Sequence, residues 1–124
     1  MELGKSREDY LKVIFILQRK FDNVHSTNVA EYMGVTKASV SVAVKELKNK
    51  NYLFVEEHGC LKLSLKGKKL AEQLFERYIF FIDLFCRIGV SSETAKKDAC
   101  LIEHDISTES YLKLKNVIKI HLSE

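Results

Sequence analysis

The sequence predicts a mostly α-helical protein with one short β-hairpin. Apolar residues recur at helical spacing over most of the 124 residues, and a stretch near the middle alternates apolar and polar residues as a strand does. Proline is absent, so the predicted helices lack the residue that most often breaks one. The length suits one domain, or a small head joined directly to a helical segment, and excludes two large independent domains.

Three helices are predicted ahead of the hairpin. Each starts at a serine or threonine that can cap its first turn, and Gly34 ends the second helix. The helices are predicted from Ser6 to Phe21, from Thr27 to Met33 after the cap Ser26, and from Lys37 to Lys50 after the cap Thr36. Their inward-facing residues are predicted to be Tyr10, Val13, Ile14, Leu17, Val29, Ala30, Met33, Val40, Val44 and Leu47.

An alternating stretch after the third helix predicts the β-hairpin. Its turn is Glu57-His58-Gly59, where glycine permits a tight reversal. A short helix, a glycine turn, a longer basic helix and a hairpin, in this order, are the parts of a winged helix-turn-helix with the hairpin as the wing. The alternating apolar residues are Leu53, Val55, Leu61, Leu63 and Leu65.

Three further amphipathic helices are predicted after the wing, and together they form a helical domain. They run from Lys66 to Ile88, where Gly89 ends the helix, from Ser91 or Ser92 to about Asp105, and onward from a cap at Ser107. Their apolar sides carry Leu70, Leu74, Phe75, Tyr78, Ile82, Phe85, Tyr111, Leu114, Val117, Ile118 and Leu122.

Positive charge is concentrated between the third helix and the start of the fourth. The chain has a formal net charge of +3, but residues 36–69 alone carry +5, because eight lysines there outnumber three glutamates. Small polar residues at the start of the third helix permit close approach to DNA base edges, and lysines suit phosphates. A solvated lysine-rich face would explain the charge alone, but the order of elements favours DNA binding. The residues predicted to contact DNA are Thr36, Lys37, Ala38, Ser39, Ser41, Lys45, Lys48 and Lys62.

A second group of residues has the spacing of metal ligands. Cys100, Glu103 and His104 share one face if the fifth predicted segment is a helix. Thiolate, carboxylate and imidazole all bind transition metals. The spacing therefore predicts a candidate metal site, while Glu103 and His104 alone also suit a hydrogen-bonded interface pair.

Five segments carry a family resemblance. They are Ser6-Arg-Glu-Asp-Tyr-Leu, Val29-Ala-Glu-Tyr-Met-Gly-Val, Leu63-Ser-Leu-Lys-Gly-Lys-Lys, Arg87-Ile-Gly-Val and Cys100-Leu-Ile-Glu-His-Asp-Ile-Ser. In these segments the chain resembles the diphtheria toxin repressor family of metal-activated transcriptional repressors, in particular its short manganese-transport-regulator branch. The resemblance implies a homodimer that binds palindromic operators when an intracellular divalent ion is plentiful, and so shuts down uptake of iron or manganese.

The resemblance also implies a four-residue metal site. Asp9 matches the family's ligand in the first helix, and Cys100, Glu103 and His104 match the later ligands, with cysteine as the iron-responsive pattern. The implied cofactor is a single divalent transition ion per chain, Fe²⁺ or Mn²⁺ by resemblance, with Co²⁺ or Zn²⁺ also suited to these ligands. Without the resemblance, Asp9 equally suits a helix-capping role three residues after Ser6.

Four positions depart from the family pattern. Lys12 stands where the manganese branch has a carboxylate ligand, and Tyr78 stands where the family has a histidine. Ile82 and Lys96 replace ligands of a second, ancillary ion. Two hypotheses follow: a single-metal site, or a metal-independent regulator in which Lys12 and Lys96 replace the ion and Cys100 is structural or redox-sensitive.

Other classes of protein fit less well. An enzyme is not expected, because Cys100 and His104 have no third orienting group or phosphate-binding loop near them in the sequence. A protein-only interaction module leaves the basic helix and wing unexplained. The expected division is therefore a winged helix-turn-helix DNA-binding domain at 1–72 and a helical dimerisation and metal-binding domain at 73–124.

The composition indicates a soluble protein of the cytoplasm. Hydrophobic residues make up 46% and charged residues 30% of the chain, and no apolar run reaches the roughly 18 residues that span a bilayer. A secretory signal is not expected from the charged start. Cys60, Cys86 and Cys100 are too few and too scattered for a disulfide framework, and the first two are expected to be small packing residues.

Overall fold

The computed structural model describes residues 3–122, with the side chains of residues 3–118. The chain forms two compact units, one that ends at Gln73 and one that begins at Leu74, so the boundary lies inside a helix. The elements are α1 (Lys5–Gln18), α2 (Ser26–Met33), α3 (Lys37–Asn49), β1 (Leu53–Val55), β2 (Leu61–Leu63), α4 (Leu65–Arg87), α5 (Ser92–Asp105) and α6 (Thr108–Leu122). The predicted fold class, mostly α with a small β-hairpin wing, is confirmed.

Helix α1 begins one residue earlier and ends three residues earlier than predicted. Gly4 occupies the N-cap position, so Ser6 lies inside the helix and its predicted role as the cap is wrong. The helix-capping alternative for Asp9, which depended on Ser6, is wrong with it. Phe21 lies beyond the helix and is 49% exposed. The predicted inward-facing residues Tyr10, Val13, Ile14 and Leu17 are all buried.

The turn between α2 and α3 follows the prediction. Gly34 adopts the left-handed conformation, with a φ of 68°, that ends α2. Thr36 caps α3, and its Oγ1 accepts the backbone N–H of Ser39 at 3.1 Å. The start of α2 differs by one residue, because His25 is the cap and Ser26 is the first helical residue.

The wing consists of two three-residue strands that pair antiparallel. A 3₁₀ turn over Glu57–Gly59 joins them, and its last two residues, His58 and Gly59, both have positive φ angles. The register pairs Leu53 with Leu63, Phe54 with Lys62 and Val55 with Leu61.

The start of α4 corrects one strand assignment. Leu65 was predicted to lie in the second strand, but it is the first residue of α4 and is 73% exposed. Ser64 ends the strand, because its Oγ accepts the N–H of Gly67 at 3.0 Å and donates to the carbonyl of Asn51 at 2.7 Å. A Cβ at Gly67 would overlap the carbonyl oxygen of Tyr52, so close packing of α4 on this segment requires glycine.

The first unit has a continuous apolar core beneath the helix-turn-helix and wing. Helices α1 to α3, the two strands and the first turns of α4 contribute to it, and the predicted inward face of α3 is buried there. Fully or almost fully buried members include Leu11, Ile14, Val29, Val40, Leu47, Leu53, Leu61 and Ala71. This core fixes which side of α3 points outward.

The second unit is built around aromatic residues. Phe81 is 1% exposed and Tyr111 is 6% exposed, and the ring of Phe80 lies edge-on to both. Two expectations are wrong here: Val117 is 51% exposed, and Cys86 is exposed instead of packed. The side chain predicted inward at Leu122 lies outside the described side chains.

Within the described part of the chain, every helix is too short or too polar to cross a membrane.

Candidate nucleic-acid interface and metal centre

The outer face of α3 is small, polar and basic. The core takes Val40, Ala43, Val44 and Leu47 from this helix, so the remaining positions face solvent. The DNA-contact residues predicted from the sequence are exposed at Thr36, Lys37, Ala38, Ser39, Ser41, Lys45 and Lys48, and Lys62 in the wing is half-buried. An exposed face of this kind, on the second helix of a helix-turn-helix, is suited to the DNA major groove.

Two apolar residues on this surface were missed by sequence reasoning. Val42 is 61% exposed on α3, and Phe54 is 59% exposed on β1 opposite Lys62. Neither was among the predicted inward-facing residues or the predicted DNA contacts, and the registers of the helix and the strand show that both point outward. An exposed valine beside small polar residues is suited to contact with a thymine methyl group.

One acid lies on the basic helix. Glu46 accepts a hydrogen bond from Nε of Arg7 on α1 at 2.5 Å, and its carboxylate lies 3.5 Å from Nζ of Lys50. The Arg7 hydrogen bond is the main cause that lowers the pKa of Glu46 below its usual value. Glu46 is therefore ionised, and Arg7 and Lys50 balance its negative charge, so α3 keeps its basic character. Sequence reasoning missed Arg7, because its partner is 39 positions away.

The second unit brings three predicted metal ligands together. Cys100, Glu103 and His104 on α5 each offer a ligand atom, and these atoms lie within 4.8 Å of one another. Ser91 caps this helix by accepting the N–H of Thr94 at 3.3 Å, as the sequence predicted.

The local sequence explains why these ligands face inward. Ala95 and Ala99 are fully buried on α5, and Glu103 continues the same face one turn later with 0% exposure. Its Oε1 lies 3.3 Å from Nε2 of His104, whose side chain is 1% exposed. A buried carboxylate beside an imidazole and a thiol is a costly arrangement in an apolar interior, and a bound divalent cation compensates such a set. The donor set therefore fits a divalent transition ion.

The remaining residues discussed for the metal site lie on α1, on α4 and at another position of α5. Asp9 belongs to the first unit, on α1, where its Oδ1 is 3.8 Å from Nζ of Lys12. Lys12 is only 5% exposed. Tyr78 and Ile82 are half-buried on α4, and Lys96 is exposed on α5.

These observations define a class of protein: a winged-helix DNA-binding regulator with a second, helical unit that carries clustered candidate metal ligands. Comparison with known families agrees with this class. Residues 2–61 match the N-terminal DNA-binding domain of iron-dependent repressors, and residues 64–120 match their metal-binding and dimerisation domain.

Named relatives identify the family. The chain is 30% identical over 114 residues to the HTH-type transcriptional regulator MntR of Geobacillus kaustophilus (strain HTA426), an alignment that covers 92% of this chain and 81% of that protein. The chain belongs to the iron-dependent repressor family. It is therefore a DNA-binding transcriptional regulator with a metal-binding and dimerisation domain, and the predicted function as a regulator and not an enzyme is confirmed.

Solved structures share the fold. The manganese regulator SloR matches with a TM-score of 0.80 and 24% identity, over 91% of this chain and 53% of that chain. A manganese-dependent transcriptional repressor in complex with manganese matches with a TM-score of 0.77 and 24% identity, over 94% of this chain and 52% of that chain. The chain thus spans about half the length of these solved chains.

Proposed function

We propose that this protein is a homodimeric repressor activated by one divalent transition ion per chain, with Asp9, Cys100, Glu103 and His104 as the ligands. The observation that carries the proposal is the set of thiol, carboxylate and imidazole within 4.8 Å on α5, in which the side chains of Glu103 and His104 are buried. Asp9 is proposed on the family resemblance and on its position on α1, where its side chain is 27% exposed.

The ligand types favour some ions over others. A thiolate with an imidazole is softer than an all-oxygen set, so Fe²⁺, Co²⁺ and Zn²⁺ should bind more tightly than Mn²⁺. Among the solved neighbours, SloR is a manganese regulator, and a second is a manganese-dependent repressor in complex with manganese. We propose Fe²⁺ or Mn²⁺ as the physiological ion, and Cys100 is the residue that favours iron.

The proposed partner is a palindromic DNA operator. In a symmetric dimer two copies of α3 enter successive major grooves about 34 Å apart. The proposed contacts are the exposed residues from Thr36 to Lys48 and Lys62 in the wing, on a DNA-binding domain that we assign to 1–72. The proposed ligands lie on both the DNA-binding domain and the 73–124 domain, so ion binding favours one arrangement of these domains. Operator affinity then rises by the difference between the free energies of ion binding to that arrangement and to the others. We propose that the regulator acts in the cytoplasm.

A metal-independent regulator is the second candidate. Lys12 favours it, because this buried ammonium lies 3.8 Å from the carboxylate of Asp9 and can neutralise that acid without an ion. In this case DNA binding is insensitive to chelators, and Cys100 has a structural or redox role.

Anaerobic calorimetry separates the two candidates. Chelator-treated protein is titrated with Fe²⁺, Mn²⁺, Co²⁺ and Zn²⁺, alongside a Cys100→Ala, His104→Ala double variant. The matched control is Cys86→Ala, His58→Ala, which removes an exposed thiol and an exposed imidazole elsewhere. Binding of one ion per chain in the wild type and the control, but not in the test variant, supports the metal-activated repressor. Absence of saturable binding by every ion in the wild type overturns it and favours the second candidate.

A further inference from the structure

The end of α5 is held by an arginine from α4. Nη1 of Arg77 donates to the carbonyl oxygen of Ile106 at 2.8 Å and lies 3.5 Å from that of Glu103, at the limit of a hydrogen bond. Its Nη2 donates to Oγ1 of Thr108, the first residue of α6, at 2.9 Å. One guanidinium therefore binds the last turn of α5, the turn to α6 and the start of α6.

This contact meets a need of the helix terminus. The last carbonyl groups of a helix have no partners within it, and they form the negative end of its dipole. The backbone of α5 becomes extended at Ile106, so the chain itself does not continue the ladder. A guanidinium suits this position because it is always charged and offers several donors in a fixed plane.

The guanidinium is itself fixed in place. Its Cζ lies 5.1 Å from the ring centroid of Tyr111, and that ring packs edge-on against Phe80 at 5.5 Å. Burial raises the pKa of Tyr111, so the hydroxyl of this ring is partly removed from water. A cation held over a rigid aromatic face has little freedom to swing away.

The residues that Arg77 holds are next to the metal ligands. Glu103 offers Arg77 its carbonyl and offers the metal site its carboxylate, and His104 follows directly. Fraying of this turn would separate the two side chains from each other and from Cys100 one turn earlier. We propose that Arg77 is a positioning residue for the metal site, one that holds the last turn of α5 in the geometry needed for ion binding. This inference rests on the proposed metal-activated function.

The test compares three variants with the wild type. Arg77→Leu removes all the donors, and Arg77→Lys keeps the charge with a different donor geometry. Lys115→Met is the matched control: Lys115 also lies over the Tyr111 ring, at 5.6 Å, and links α6 to Glu76 on α4 at 3.0 Å, but these contacts leave the α5 carbonyls untouched. Co²⁺ serves as the probe because its visible and thiolate charge-transfer bands report ligand geometry.

Arg77→Leu is expected to weaken Co²⁺ binding about tenfold, at the lower end of the range for residues that support metal ligands. The visible and charge-transfer bands of Co²⁺ bound to this variant should also change. In the metal-free variant, the backbone amides in the last turn of α5 should exchange hydrogen faster than in the wild type. Arg77→Lys should restore part of the Co²⁺ affinity and part of the protection from hydrogen exchange. Lys115→Met should resemble the wild type in both measurements. All titrations are made at a temperature where each variant is folded by circular dichroism.

Two outcomes overturn the inference. If Arg77→Leu lowers the melting temperature but binds Co²⁺ with wild-type affinity and spectrum, Arg77 serves stability alone. If Lys115→Met weakens Co²⁺ binding as much as Arg77→Leu, the effect belongs to the aromatic cluster and not to the α5 carbonyls. A wild type that binds no Co²⁺ is a different failure, because it removes the proposed metal site itself.

Discussion

Arg7 on α1 and Glu46 on α3 are joined by a 2.5 Å hydrogen bond across 39 positions of sequence. Glu46 is the single acid in the α3 sequence, among lysines that we propose to contact phosphates. The arginine neutralises this acid and ties α3 to α1, the helix that carries Asp9. The pair therefore serves both the charge and the placement of the proposed recognition helix.

The lowered pKa of Glu46 predicts a pH-dependent stability. Its folded pKa lies below 4.5, chiefly because of Arg7, so the stabilisation is fully present above the unfolded value and is lost as the pH falls through the folded pKa. Glu46→Gln should lower the melting temperature slightly at neutral pH. The difference in melting temperature between this variant and the wild type should shrink as the pH falls below 4.5. Thermal unfolding followed by circular dichroism across this range checks it, with Glu72→Gln, an exposed acid on α4, as the control. A gap that stays constant with pH contradicts the prediction.

Gly67 is predicted to tolerate no side chain. Because an added Cβ would overlap the carbonyl oxygen of Tyr52, Gly67→Ala forces the start of α4 away from this segment and should cost about 1–3 kcal/mol of unfolding free energy. Urea unfolding measures this cost. Gly4→Ser is the control, since Gly4 has open space around it and serine suits its N-cap position. Equal stability of the two variants would show that the segment yields without cost.

Lysines on α3 should control the salt dependence of DNA binding. Lys45→Gln and Lys48→Gln should each lower the slope of log affinity against log salt by about one, because each removes one phosphate contact. Fluorescence anisotropy with a labelled duplex, at several salt concentrations, gives the slope. Lys113→Gln, an exposed lysine on α6, should leave it unchanged. If all three variants behave alike, the charge acts through the whole protein and α3 is not the contact surface.

Val42 should affect sequence preference without affecting salt dependence. Its exposed methyl groups are placed for an apolar contact with a base, so Val42→Ala should weaken binding to the preferred site by about 1 kcal/mol. The site is first selected from random-sequence duplexes with the wild-type protein. Competition with unselected DNA then gives the specificity ratio, which should fall while the salt slope stays the same. An unchanged ratio would place Val42 outside the base-contact surface.

Local chemistry made most of the fold predictable. Helix ends depend on contacts between residues close in sequence, as at the caps Thr36, Ser91 and Ser107 and the left-handed turn at Gly34. Each capping side chain accepts the backbone N–H of a residue three positions later, so a short sequence pattern contains the whole interaction. The prediction failed at Ser6, because α1 begins one residue earlier with Gly4 as its N-cap, a residue that has no capping side chain to reveal the position.

The candidate site was predictable only along one helix. The sequence spacing predicted that Cys100, Glu103 and His104 share one face of a helix, and in the structure their ligand atoms do lie together. The burial of Glu103 and the contacts of Arg77 depend on packing between distant segments, which no short pattern encodes.

Both ends of α5 are anchored, by the Ser91 cap at one end and by Arg77 at the other. A helix fixed in this way keeps its side chains in place before any ligand arrives, so little conformational entropy is lost on binding. At the proposed metal site, differences in affinity among ions should then reflect the ions themselves, their hydration and their preference for sulfur or oxygen, more than the free energy of ordering the chain.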